Sequence, residues 1–131
     1  FLNWRWKVTE LPAGGDVRKK TADDQAAQVY VVFPKWPAPV NSRIIGYIWD
    51  TSVPAGISLQ STKSSYTRYV IVRGGAADLG KWMTEKRDVY QDYKRLFKEE
   101  APKVGSVSVM IDSDDTQTSA ESYIGNIYFS K

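Results

Sequence analysis

Asp112, Asp114 and Asp115, followed by Thr116, bring ligand-type oxygens together at close spacing. Asp112 and Asp114 reproduce the D-x-D opening of a calcium loop, in which alternate positions converge on one ion. The rest of such a loop is not there, because Gln117 stands at the sixth position and Tyr123 at the twelfth, where glycine and glutamate are needed. The same residues also suit a polar turn whose aspartates accept from nearby backbone N–H groups. Both readings stay open, with calcium as the ion the spacing would suit.

Asp50, Glu85 and Asp112 offer a second chemistry, since a pair of carboxylates can cleave a glycosidic bond as acid and as nucleophile or base. Little else is available for catalysis. The chain has no histidine and no cysteine, which removes the commonest general base, the usual zinc ligands and all thiolate or disulfide chemistry. Recognition has more material. Trp36 lies among Pro34, Pro37 and Pro39, and Trp82 follows Gly80 and Lys81. Each could present a flat aromatic face to the apolar face of a sugar. Arg73, beside Gly74 and Gly75, with Asp50 and Glu85 would supply polar contacts to the same kind of ligand. Arg5 and Lys7 alternate with Trp4 and Trp6, so one sheet face is basic and could hold an anion or stand solvated.

These residues need elements to position them, and the pattern is mostly that of strands. Leu2, Trp4, Trp6 and Val8 alternate with Asn3, Arg5, Lys7 and Thr9, the period of a half-buried strand. Further strands are expected over 28–33, 43–50, 66–73, 104–112 and 123–130, with a short edge segment near 57–60. The segment 28–33 is almost continuously apolar and should be central. One helix is expected over 88–99. Val89, Tyr93, Leu96 and Phe97 form its apolar stripe, Asp88 is its N-cap and Ala101-Pro102 ends it. Six strands with one inserted helix predict an antiparallel β-sandwich or jelly roll, or alternatively a single sheet covered by the helix. At 131 residues the chain is expected to form one domain, 1–131.

Charge narrows the partners. The net charge is +3; residues 104–131 sum to −3 and the first 103 to +6. Basic residues so mixed with acids do not form a nucleic-acid footprint. No apolar run approaches the ~20 residues of a membrane span.

Several segments together resemble a known family. They are Trp4 to Val8, Val29 to Phe33, Tyr47 to Asp50, Val70 to Gly74 with Trp82, Glu85 and Arg87, then Asp92-Tyr93, and Asp112 to Thr116 before Tyr123 to Phe129. Their order and spacing resemble a bacterial domain of unknown function, the family numbered 3047, over nearly the whole chain. The last of them, Tyr123 to Phe129, is also similar to the final strand of galactose-binding-like sandwiches. The family resemblance implies an exported protein, periplasmic or extracellular, and implies no activity. It also implies further residues ahead of the Trp4 to Val8 segment. The first strand is therefore expected to have an unpaired edge, completed by another polypeptide, a second copy or an upstream segment.

The function these observations favour is a non-catalytic extracytoplasmic module that binds a carbohydrate-like ligand or a protein partner. A structural or accessory subunit of an assembly is one alternative, and a carboxylate glycoside hydrolase is the other. Trp36, Trp82, Arg73, Asp50 and Glu85 are the expected ligand contacts.

Overall fold

The computed structural model describes residues 1–36 and 41–131. Alternation in the first segment produces β1 (Leu2–Glu10), whose inward residues Leu2, Trp4, Trp6 and Val8 are all buried. Along the chain follow β2 (Ala27–Phe33), β3 (Arg43–Asp50), β4 (Ser58–Gln60), β5 (Thr67–Gly74), β6 (Met83–Arg87), α1 (Val89–Phe97), β7 (Ser106–Met110) and β8 (Glu121–Phe129). The strands form two sheets, one ordered β6-β1-β8 and one ordered β4-β5-β3-β2-β7. Packed face to face, they make the expected β-sandwich with a single α-helix. No helix among the described residues is long and apolar enough to cross a membrane.

The core between the sheets is aromatic. Trp4 packs against Tyr47 at 5.4 Å and Trp6 against Trp49 at 5.8 Å, which lays β1 over β3. A buried aromatic side chain removes on the order of 200 Å² from water, a gross gain of about 5 kcal/mol as an upper bound. A second, smaller cluster of Val17, Ile48, Val53, Tyr69 and Ile71 covers the outer side of the five-stranded sheet. Gly46 is required there. A Cβ at this position would lie 2.8 Å from the rings of both Tyr30 and Tyr69.

The helix docks by its predicted stripe. Val89 and Tyr93 are buried, Leu96 and Phe97 are partly buried against the core, and Lys94 and Lys98 are wet. Asp88 accepts from the Gln91 N–H at 3.1 Å as N-cap, and the helix stops at Lys98, whose φ of 58° is left-handed.

Three expectations are corrected. The larger sheet is not purely antiparallel, because β3 and β5 run parallel. The sequence pattern predicts no strand at β6, yet the mostly polar Met83–Arg87 pairs with β1. The expected unpaired edge on the first strand is overturned as well. β1 lies between β6 and β8, paired on both sides, and Trp4 and Trp6 are buried within the described residues.

Candidate functional site

The expected ligand contacts fall into separate places. Glu85 points inward from β6 and is buried. Its Oε2 accepts from the Trp6 indole N–H at 2.9 Å and from Arg73 Nε at 2.9 Å, while Oε1 accepts from Arg73 Nη2 at 2.9 Å. Arg73 also lies 3.6 Å from Asp78. Glu85 bonding, with burial opposing it, raises the Arg73 pKa. This bidentate pair ties β5 to β6 across the core. Asp50 ends β3 and is fully buried; its Oδ2 accepts from the backbone of Ser52 and Val53, and burial raises its pKa. Glu85 and Asp50 therefore serve the fold at these contacts.

A further buried acid organises the helix. Asp92 accepts from Arg87 Nε and Nη2 at 3.0 and 2.9 Å and from the Tyr47 hydroxyl at 2.7 Å. Burial, and then the Asp92 charge, push the Tyr47 pKa up.

The two tryptophans expected as platforms differ. Trp36 is 87% exposed, and its neighbours Pro37 and Pro39 lie outside the described residues. Trp82 is 44% exposed on the outer face of the three-stranded sheet. Arg5 stacks 4.7 Å from its centroid, and Lys7 lies 5.3 Å from it and 4.8 Å from that of Tyr123. The basic face and the aromatic platform read separately in the sequence are thus one surface, held together by cation–π contacts.

The acidic segment turns the chain between β7 and β8 and gains one member the sequence did not indicate. Oxygens of Asp24, Asp112, Asp114 and Asp115 all lie within 4.8 Å of one another. Asp24 is buried, and its carboxylate accepts from the Asp115 and Thr116 backbone N–H groups at 3.2 and 2.6 Å and from the Thr116 hydroxyl at 2.6 Å. Burial works against its charge, but these bonds prevail and lower its pKa. Asp112 goes the other way. Burial, then the Asp114 carboxyl and the nearby Asp24 charge, push its pKa up to about 6. Lys63 lies 3.3 Å from Asp23 and 3.7 Å from Asp115. The cluster therefore works as a turn clamp, and its oxygens could also serve a hard cation.

The largest anomaly is elsewhere. Val107 and Val109 on β7 pair with Val31 and Val29, which are buried in the core, so they share the inward face. Val109 is nevertheless 48% exposed. On β8, Phe129 pairs with the fully buried Leu2 and is 51% exposed, and Ile127, on the same side two residues earlier, is 39% exposed. The cause is the offset between the sheets. β1 crosses β3, β6 is tied to β5 through Glu85 and Arg73, and β8 packs over β2. Among the described residues, no strand packs over β7 in the same way. The sandwich is open along this side, with a groove of about 420 Å³ beside Phe1, Tyr90, Val104, Val107 and Phe129 and one of about 250 Å³ beside Val109, Met110 and Ile124. The sequence carried a signal for this surface. Residues 104–111 and 122–130 contain no charge at all.

Fold and surfaces together define a two-sheet β-sandwich with one docked helix and an open side. Residues 1–128 match the family described as "Protein of unknown function (DUF3047)", and the chain belongs to that family. Comparison with curated proteins and with solved structures gives no match.

Proposed function

We propose that this chain is a non-catalytic accessory module that binds a polypeptide on the open side between β7 and β8. The observation that carries the reading is the exposure of core-facing Val109, Ile127 and Phe129. Inward positions left wet lose the free energy that their neighbours gain by burial, and a contiguous bare apolar surface is characteristic of an interaction site. Glu85 and Asp50, the residues a carboxylate hydrolase would need free, hold Trp6, Arg73 and the turn at Ser52–Val53. A periplasmic or extracellular location belongs to the same proposal and rests on the family resemblance.

The test places a photo-crosslinking residue at Val109 or Ile127 in the native host, with Ile57 on the far edge as control. Crosslinking to one discrete polypeptide from 109 and 127 and not from 57, abolished by Phe129→Lys, is expected. Equal labelling from all three sites, or none, would overturn the reading.

A second reading has its own observation. The outer face carrying Arg5, Lys7, Trp82 and Tyr123 suits an anionic carbohydrate, whose acid groups would meet the cations while a ring packs on an aromatic edge. Titration with polygalacturonate, compared in wild type and Arg5→Ala, tests it. Salt-sensitive binding lost in the variant supports it, and no heat of binding rejects it.

A further inference from the structure

We propose that the occupant of the open side is an extended segment of a partner polypeptide that adds a fourth strand to the three-stranded sheet along the free edge of β8. The inference rests on the preceding reading that this side receives a polypeptide, and it specifies how and with what chemistry.

The offset of the sheets gives the position. Counting from the tied pair β6 and β5, the small sheet ends at β8 above β2, while the large one continues to β7. A strand added beyond β8 is the one that would lie over β7 and cover Val107 and Val109. The free edge of β8 gives the bonding. An edge strand presents a row of unpaired N–H and C=O groups that only another extended backbone can match in register. Edges are commonly blunted by charge, proline or bulges. β8 has a bulge near Asn126, with φ of 53°, but no charge or proline from Ser122 to Ser130. A folded globular surface would leave that backbone row unsatisfied, so strand addition is the recognition mode that fits.

Alternation then specifies the side chains. A strand of about five residues spans ~17 Å and points every second residue inward. Those residues must be apolar to pack on Val107, Val109 and Phe129. The ends of the groove differ in charge. Asp112, Asp114, Asp115 and Glu121 lie at the turn joining β7 to β8, and Lys103 and Lys131 flank the opposite end. Lys63 pairs with Asp23 and Asp115 and feels the Asp112 charge from further off, and among the described residues Asp112 and Asp114 form no ion pair of their own. The segment is therefore apolar at alternate positions and carries Lys or Arg at the end beside this turn.

The probe is a synthetic peptide of alternating valine and threonine with one terminal lysine, added at millimolar concentration to the full chain. Backbone hydrogen exchange is read residue by residue. Exchange of β8 amides should slow at least tenfold. A peptide N-methylated along its pairing edge should give no protection, and replacing its lysine by glutamate should weaken binding several-fold. Unchanged β8 exchange overturns the inference. If crosslinking from Val109 still captures a polypeptide in that case, the partner docks without adding a strand and the broader reading survives. If β8 is protected without peptide and the chain sediments as a dimer, a second copy occupies the edge and the inference is likewise wrong.

Discussion

On β1, Trp4 and Trp6 point into the core and lose almost all contact with water; on β7, Val107 and Val109 point into the same core, and Val109 keeps nearly half of its surface wet. Both strands alternate correctly and both belong to the sandwich. The difference lies in what stands opposite. Trp4 and Trp6 meet Tyr47 and Trp49 across the core, whereas among the described residues Val109 borders only an open groove beside Ser122 and Ile124. An inward-facing pattern fixes the face of a strand, but burial needs a partner layer as well. In this protein the β1 region is closed by packing, with the Trp6 indole N–H donated to Glu85 and that of Trp4 buried without a partner, and the β7–β8 side is open.

Mutations should separate the two regions by size of effect. Trp6→Ala removes an aromatic ring from the finished region and should destabilise by about 3–5 kcal/mol in a denaturant titration. A loss below about 1 kcal/mol would mean that the core is loosely packed at β1. Glu85→Ala leaves the Trp6 N–H and the Arg73 guanidinium without their acceptor and should cost about 3 kcal/mol. The double variant with Arg73→Ala should recover part of that loss, and a strictly additive result would contradict the coupling.

Asp112 gives a smaller and pH-dependent effect at the closed end of the open side. Its pKa is raised in the folded state, from 3.8 to about 6. The folded state therefore holds this proton more tightly than the unfolded chain does. The resulting stability is full below pH ~4 and is lost as pH rises through ~6. Asp112→Asn should thus stabilise the protein by roughly 1 kcal/mol at pH 7 after allowance for solvent screening, and make little difference at pH 4. Thermal melts at the two pH values check this, and destabilisation at pH 7 would contradict it. Millimolar calcium is expected to leave the melting temperature unchanged, because Asp24 is taken up by the turn it clamps; a clear rise would instead assign the four acids to an ion. The smallest effect belongs to the open region. Val109→Ala should change stability by no more than about 0.5 kcal/mol, although the residue faces inward.

Much of this architecture was legible in the sequence because period and capping are local. The alternation from Leu2 to Val8 gave β1 and its buried face, and Asp88 with Val89, Tyr93, Leu96 and Phe97 gave α1 and its docking side. β6 was hidden for a physical reason. Its inward positions are Met83, Glu85 and Arg87, opposite Trp6, Trp4 and Leu2, and two of the three are charged. They are tolerated inside because Trp6 and Arg73, from other strands, satisfy Glu85, and Asp92, five residues on in the helix, satisfies Arg87. Asp24 joined the acidic turn in the same unreadable way, through bonds to Asp115 and Thr116. The parallel pairing of β3 with β5 is a relation between elements that no residue pattern encodes, and the uncharged runs 104–111 and 122–130 mark the apolar surface without showing that β7 is left uncovered. Trp82 and Arg5 were each visible, but the stacking that makes them one surface was not.

The contrast between the two regions is tested most directly by native-state hydrogen exchange on the chain alone. Amides of β1, β2 and β3 should exchange only through global unfolding, while amides on the free edge of β8 exchange orders of magnitude faster by local opening. Protection of β8 equal to that of β1 in a monomer would show that its edge is already covered, and would contradict the account of an open side.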